Sequence, residues 1–454
     1  MREGNFPEGE RFYWEKMHSE VENTFCKRYE EFQKRAYDWL IIPAGLVDYY
    51  YVILIRALKP KNVCFVCTKE FRNSYLDLIV QKTGLTRDKY ITDVIDYDEM
   101  DLTTVYDTIK KHYSLFHNCK TVVDLTRGKR VMAAGAGIAA AFFDFDLVYI
   151  DEDWVDDLKR GLPGTEKLVE VRNPLNVLGD LENSHAEYLF NTSAFTAAQT
   201  LYQNLRDKVI DPRESTIKYM LAQTYDYWDM FNFKAAQTKL IELLGKMTQY
   251  GMSTYLDHLK GNLEALKTLV KIQEMKKQEI LKNQQIVLHL AVDLYQNSVR
   301  RHRINRNDDA LARLYRILEL VSQHRLAAKY DIDTARVDTL KLKDLEETFK
   351  TLSKELYGVT KNIPSEVGLK DGHLLLYILR DALWERAEVK ELSDLFSSIR
   401  TRDQSITAHG LDFVTAKGYD KLVTFVLHFL NILSSNDKKQ LETIMKQHTF
   451  VTFG

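Results

Sequence analysis

Cysteine is scarce in this chain: its 454 residues hold four, Cys26, Cys64, Cys67 and Cys119. That is too few for a disulfide framework and points to a reducing compartment, the cytoplasm. Cys64 and Cys67 form a CxxC in NVCFVCT, but no second CxxC completes a zinc site. The run reads as a strand, on which residues three apart point to opposite faces, so both thiols read as packed side chains. Proline is scarce too. Of seven, only Pro212 and Pro364 lie beyond residue 180, and both fall in turns. Excess charge of either sign is missing: 63 Lys and Arg face 65 Asp and Glu, a net −2. No bulk field therefore draws nucleic acid or an anionic membrane, and any RNA-binding surface must be a local patch. The most apolar run, VMAAGAGIAAAFF (131–143), falls short of the roughly 20 residues a membrane helix needs, and reads as a buried helix. The charged N-terminal stretch MREGNFPEGERFYWEKMHSE has no apolar core, so no signal peptide is expected. Neither a P-loop nor a dinucleotide GxGxxG is present. The acidic DEDWVDD (151–157) lacks the glycine turn of a calcium loop and has no paired histidines, so it reads as a strand-end loop and no metal is expected.

What is there is ordinary globular material, 45% hydrophobic and 28% charged, in a length that suits two or three domains. Residues 8–36 read as an amphipathic helical arm. Short apolar runs follow at 39–45, 62–68, 121–126 and 146–151, with further strand candidates at 90–98 and 167–172. Helical patterns lie between them at 47–58, 70–83, 101–116 and 130–143. Strand alternating with helix predicts an α/β domain, a parallel sheet with helices on both faces. Pro163, Gly164 and Pro174 mark a border within 156–180. Beyond it, helices are predicted at 182–206, 214–229, 233–248, 253–282, 284–301, 307–329, 338–357, 371–385, 388–399 and 417–433. No copy recurs at a fixed period, so no solenoid is expected. The chain divides into an arm (1–37), an α/β domain (38–175), a helical bundle (176–300) and a second helical domain (301–454).

In such a sheet, ligands bind outside the carboxyl ends of the strands. Ala44 and Gly45 end the first strand and let a ligand approach the backbone. Thr68 and Lys69 end the second. Thr126, Arg127, Gly128, Lys129 and Arg130 follow the strand at 121–126 and open a helix, where N–H groups, a flexible glycine and cations suit a phosphate. A glycine turn with cations is also a common solvated loop, and the residues alone leave both readings open. Gly135 and Gly137 fall within the helix and read as small residues packed against the sheet.

Near the end of the chain, SSIRTRDQSITAHGLDF (397–413) sets Arg402, Ser405 and His409 at intervals of three and four. On a continuous helix they share one stripe. That stripe is either a solvated face or a site for phosphoryl transfer in RNA, with the arginine neutralising charge on phosphorus and the histidine moving a proton. Gly410 suits the residue just past a helix end, which puts His409 in the last turn. Seven residues span about 10 Å of helix, which favours two copies meeting across a symmetric interface. The run SVRRHRINRN (298–307) carries Arg300, Arg301, Arg303 and Arg306, either as a solvated helix end or as an RNA-guiding patch.

Two resemblances sharpen these readings. VDLTRGKRVMAAGAGIAAAFFDFDLVYID resembles the strand–loop–helix–strand signature of CARF domains, sensors of cyclic oligoadenylate in type III CRISPR defence. Where that family often has Thr-Gly-Gly-Thr-Lys followed by a methionine, this chain has Thr126 to Arg130 and then Met132. RDQSITAHG resembles the HEPN ribonuclease motif, an arginine and a histidine four to six residues apart, with Asp403 where asparagine is commonest. RNDDALARLYRILELVSQ (306–323) and GLKDGHLLLYILRD (368–381) resemble other stretches of the same HEPN subgroup. The pairing implies a Rossmann-like CARF domain followed by an all-α region ending in a HEPN domain. It implies a homodimeric, cytoplasmic, metal-independent endoribonuclease that cuts single-stranded RNA to a 2′,3′-cyclic phosphate. Arg402, His409, Ser405 and Asp403 would make its catalytic site. No cofactor is implied, but cyclic tetra- or hexa-adenylate is, as allosteric activator on Ala44, Gly45, Thr68, Lys69 and the 126–130 loop. The alternatives are a sensor or scaffold with a silent HEPN half, and a ring nuclease that degrades the activator in the CARF domain.

Overall fold

The computed structural model describes residues 11–45, 49–96, 100–156, 160–173, 175, 178–405, 410–411 and 416–454, with the backbone alone described at 160, 401–403, 416 and 417. The chain forms two compact units. One comprises Met1–Leu181 with Lys208–Ile210, the other Glu182–Asp207 with Asp211–Gly454.

The first unit is built on a six-stranded sheet. Its strands are β1 (Trp39–Ala44), β2 (Asn62–Thr68), β3 (Tyr90–Ile95), β4 (Thr121–Asp124), β5 (Asp146–Asp151) and β8 (Lys167–Val171), in the order β3-β2-β1-β4-β5-β8. The first five are mutually parallel, with Trp39 opposite Asn62 and Ala44 opposite Cys67. β8 runs antiparallel to β5, so the sheet is mixed rather than wholly parallel. The reason lies in the connection. A parallel return needs a crossover of a dozen or more residues, usually a helix. Here the chain folds instead into a short hairpin, β6 (Trp154–Val155) against β7 (Arg160–Gly161).

Helices α1 (His18–Arg28) and α2 (Tyr49–Leu58) cover one face, in a core with Leu40, Ile42, Val63, Phe65 and Cys67. Helices α5 (Leu102–Lys111) and α6 (Arg130–Phe143) cover the other, with Ile41, Cys64, Val66 and Val123. Adjacent strand residues thus alternate between two cores, which is why β1 and β2 are apolar along their length. Cys64 and Cys67 fall on opposite faces, and burial pushes both thiols up, Cys67 to about 12. The helix predicted over 70–83 divides at Tyr75 into α3 (Lys69–Ser74) and α4 (Leu76–Thr83).

Among the described residues, the elements of the second unit are helices. Its members are α7 (Asp180–Asn191), α8 (Phe195–Lys208), α9 (Arg213–Asp229), α10 (Phe233–Tyr250), α11 (Leu256–Val270), α12 (Lys277–Lys282), α13 (Gln284–Arg303), α14 (Asn307–Tyr330), α15 (Glu346–Tyr357), α16 (Leu369–Ile378), α17 (Val389–Asp403), α18 (Ala416–Leu433) and α19 (Lys438–Gln447). The single helix expected over 182–206 is two, because Ser193 takes a left-handed conformation (φ 61°). The one expected over 371–385 stops at Ile378, ahead of Arg380 at φ 51°. α19 has no counterpart in the predicted set. α14 is buried along its length through Leu311, Leu314, Ile317, Leu318 and Val321. Among the described residues, no helix is long and apolar enough to cross a membrane.

Candidate functional site

Strand order reverses between β1 and β4, which sit side by side at the centre of the sheet, so their following loops leave toward opposite faces. A crevice at that point is where open α/β sheets bind ligands. Two glycines bring the loops together. Gly128 has φ +91°, and a Cβ there would lie 2.6 Å from the Pro43 carbonyl oxygen. A Cβ on Gly45 would lie 3.2 Å from the Lys129 nitrogen. Both backbones are therefore bare where they meet, beside buried Ala44.

The side chains predicted to bind ligand divide into two kinds. Some are committed to the fold. The Thr68 hydroxyl caps α3 by accepting from the Phe71 N–H at 3.2 Å. Thr126 donates its hydroxyl to the Asp124 carboxylate and accepts from the Ile150 N–H at 2.9 Å, joining the ends of β4 and β5. Others face outward: Lys69 and Arg130 are exposed, at the first residues of α3 and α6, and Lys129 is half-buried just before α6. Arg127 is held between two groups that sequence reading did not connect with it. Its guanidinium is 3.0 Å from Glu152 and lies 4.3 Å over the Tyr50 ring. The Tyr49 and Tyr50 hydroxyls are 2.7 Å apart, and Tyr49 donates to the buried Glu166 at 3.0 Å. Glu152 belongs to the acidic run after β5, whose pairing with a residue 25 positions away has no signature in the sequence. Gly135 packs differently from expectation: a Cβ there would lie 2.7 Å from Val105 on α5, so it admits a neighbouring helix rather than the sheet.

In the helical unit, α17 carries the backbone through Arg402 and ends at Asp403. Ser405 lies beyond that end, buried to 1% exposure, and its carbonyl accepts from the Gly410 N–H at 3.1 Å. The continuous helix expected through this stretch is thus corrected at Ser405, which lies outside α17. Crowding at Gly410 supplies the physical reason, since a Cβ there would collide with the Gln404 carbonyl, which packs the returning chain onto the helix end. His409 lies outside the described residues, and so do the side chains of Arg402 and Asp403.

The arginine run resolves into parts. Arg300 is buried, donates to Asp229 at 2.9 Å and lies 3.8 Å over the Phe450 ring. Arg301 pairs with the same carboxylate. Neither is a solvated helix end or an RNA-guiding patch. Arg303 and Arg306 are exposed. His302 stacks on Tyr419 at 4.0 Å and bonds Asn307 at 2.8 Å.

Two of the stretches that resemble HEPN sequences, 306–323 and 368–381, come together beside the turns of α17 that precede the third. Tyr315 of α14, Gly368 to Asp371 at the start of α16, and Ser393, Phe396, Ser397 and Arg400 of α17 line one cleft of about 530 Å³, closed by Tyr357 and Lys361. Burial and the neighbouring Asp371 push the Tyr357 phenol well above its ordinary range.

Comparison with known proteins follows the same division. The Csm6 6H domain model matches residues 178–285, the span of α7 to α12, and the Csm6 HEPN domain model matches 276–433. Over residues 178–433 the chain is homologous to Csm6. A curated relative, the CRISPR system endoribonuclease Csm6 of Thermus thermophilus, is 26% identical over 384 residues, 80% of this chain and 78% of the relative. Enterococcus italicus Csm6 bound to cyclic hexa-2′-fluoro-hexa-dAMP has the same fold, with a TM-score of 0.54 over 91% of this chain and 98% of that one at 13% identity. The Csm6 HEPN match contains the whole of the Arg402–His409 motif, and the 6H match covers most of the bundle expected over 176–300.

Proposed function

We propose that this protein is a metal-independent endoribonuclease of type III CRISPR defence, cutting single-stranded RNA after a cyclic oligoadenylate binds its sheet unit. The observation that carries the reading is that one HEPN match contains both Arg402 and His409, in a chain whose curated relative is a CRISPR endoribonuclease. Residues 38–175 are read as a Rossmann-like CARF sensor behind an arm at 1–37. A bundle at 176–300 leads to the HEPN domain at 301–454.

The crevice at the β1 and β4 ends supports the sensor role. Gly45 and Gly128 let the two loops close on each other beneath it, and Lys69, Arg127, Lys129 and Arg130 supply positive charge for a phosphodiester ring. Thr68 and Thr126 serve as scaffold, since their hydroxyls are spent on the loops. At the HEPN motif the RNA 2′-hydroxyl gives its proton to solvent water as it attacks the adjacent phosphorus. Arg402 stabilises the charge that develops there, and protonated His409 donates to the departing 5′-oxygen. The P–O5′ bond breaks and a 2′,3′-cyclic phosphate remains. Ser405 and Asp403 position the pair. A homodimer brings two motifs to one composite site, in the cytoplasm.

The test is cleavage of a fluorogenic single-stranded RNA in EDTA, with and without cyclic tetra- and hexa-adenylate. The hexamer is the first choice, because the solved relative carries a cyclic hexanucleotide. His409→Ala is expected to lower activated cleavage by at least about 10²-fold, the lower bound for losing a general acid, with ring binding retained. Full activity in that variant would sink the assignment. Following the ring by chromatography separates activator degradation from RNA cleavage.

A further inference from the structure

We infer that the cleft between α14, α15, α16 and α17 is a binding subsite for the single-stranded RNA, engaging its phosphates and a base away from the scissile bond. The inference rests on the ribonuclease reading and adds to it a surface outside the Arg402–His409 motif.

Composition comes first. The lining holds three cations, Lys361, Lys370 and Arg400, against one carboxylate, Asp371. That carboxylate is already engaged, 3.9 Å from Lys361 and beside the Tyr357 phenol. Arg400 is exposed and forms no ion pair among the described residues. The Tyr315 ring is a half-buried wall of the cleft. Ser393 and Ser397 add exposed hydroxyls on the α17 face. Cations beside an aromatic wall are what single-stranded nucleic acid requires: charge for the backbone and a flat surface for a base. A chain with net charge −2 has no bulk field for RNA, so a local patch is the only way to hold it.

Rigidity comes second. The Tyr357 ring stacks on Phe396 at 5.5 Å and 20°, and Lys361 sits 4.6 Å over it. The platform is thus built before any ligand arrives. The volume of about 530 Å³ suits a small ligand, room for about one or two nucleotides rather than a ring of four or six.

Position comes third. Arg400 and Arg402 are two residues apart on α17, an axial rise of only about 3 Å but roughly 200° around the helix. A strand leaving the cleft has to cross only the end of α17 to reach the motif.

The test is fluorescence anisotropy of a fluorescein-labelled 20-nucleotide single-stranded RNA across a salt series, using the full chain in the His409→Ala background so that the probe stays intact. Lys361→Gln with Arg400→Gln should weaken RNA binding about tenfold. It should also flatten the log–log salt slope by about 1.4, the loss of two single-strand phosphate contacts. Lys390→Gln, which removes an exposed cation of α17 outside the cleft, should do neither, and binding of cyclic hexa-adenylate to the double variant should be unchanged. The inference is overturned if affinity and slope stay at their starting values, if Lys390→Gln has the same effect, or if the double variant loses the ring instead of the RNA. A protein that binds RNA through the cleft yet never cleaves it refutes the ribonuclease reading alone. One that cleaves RNA with the cleft cations irrelevant refutes the cleft alone.

Discussion

Gly128 does two things that no other residue can do together. Its φ of +91° lies where an L side chain is strained, and its α-carbon lies under the Pro43 carbonyl, 2.6 Å from where a Cβ would be. Gly128→Ala has to push the β4 loop away from β1, opening the crevice proposed for the activator. We expect cyclic hexa-adenylate affinity to fall at least about tenfold by calorimetry, a factor worth about 1.4 kcal/mol. Gly84→Ala is the matched control: φ is +74° there with nothing within 4 Å, so the strain is present without the crowding. Equal affinity in the two variants would show that the contact with β1 is dispensable. At this scale the sequence was partly legible. Gly45, Gly128 and the cations around them were recognisable as strand-end chemistry. That Thr68 and Thr126 are consumed by loop hydrogen bonds was not, because their partners are set by how β4, β5 and α3 meet.

Among the elements, the segment after α19 bears on α13 more than its sequence suggests. Phe450 stacks on Tyr225 at 4.0 Å and 7°, and lies under the Arg300 guanidinium. Arg300 is buried, and burial lowers its pKa against the opposing pull of Asp229. Phe450→Ala leaves a cavity and uncovers one face of that cation. The expected cost is about 3–5 kcal/mol, read as a lower urea midpoint, with ring binding by the sheet unit unchanged. A midpoint within experimental error of the parent would mean that the segment is only laid against the bundle. The strands were legible at this scale, since two-sided burial writes apolar runs into β1 and β2. The reversal of β8 was not, because direction is decided by the connection and not by the strand. The end of α17 at Asp403 was also hidden: Arg402 and Ser405 fit a helical period, and the helix nonetheless stops between them, where Gly410 approaches Gln404.

For the molecule as a whole, buried histidines shape the response to acid, His373 and His289 most strongly. His373 donates from Nε2 to the Leu318 carbonyl and accepts from Trp384, and burial lowers its pKa to about 4. His289 is also lowered to about 4, by burial and then by His448 at 3.0 Å. An unfolded histidine titrates near 6.5, so between about pH 6.5 and 4 the unfolded chain binds more protons than the folded one. Their contribution is therefore fully present above about pH 6.5 and is lost as pH falls toward 4, by at most about 3 kcal/mol for His373. Urea midpoints measured from pH 7.5 to 4.5 should decline from about 6.5 downward. A profile flat to pH 5 would contradict the assignment of these histidines as neutral core groups.

By itself, the sequence determined most of the strands and helices and the change from α/β to all-α, and by resemblance it singled out Arg402 and His409 as candidates for the HEPN motif. Periodicity and local motifs are properties of neighbours along the chain, so they can be read without a fold. Tertiary structure alone decided that β8 turns back, that Arg300 and Arg301 lock onto Asp229, that Glu152 holds Arg127, and that three distant stretches close around one cationic cleft. Each of these joins residues tens to hundreds of positions apart, or depends on the space between elements, and burial and electrostatics act through that space rather than along the chain.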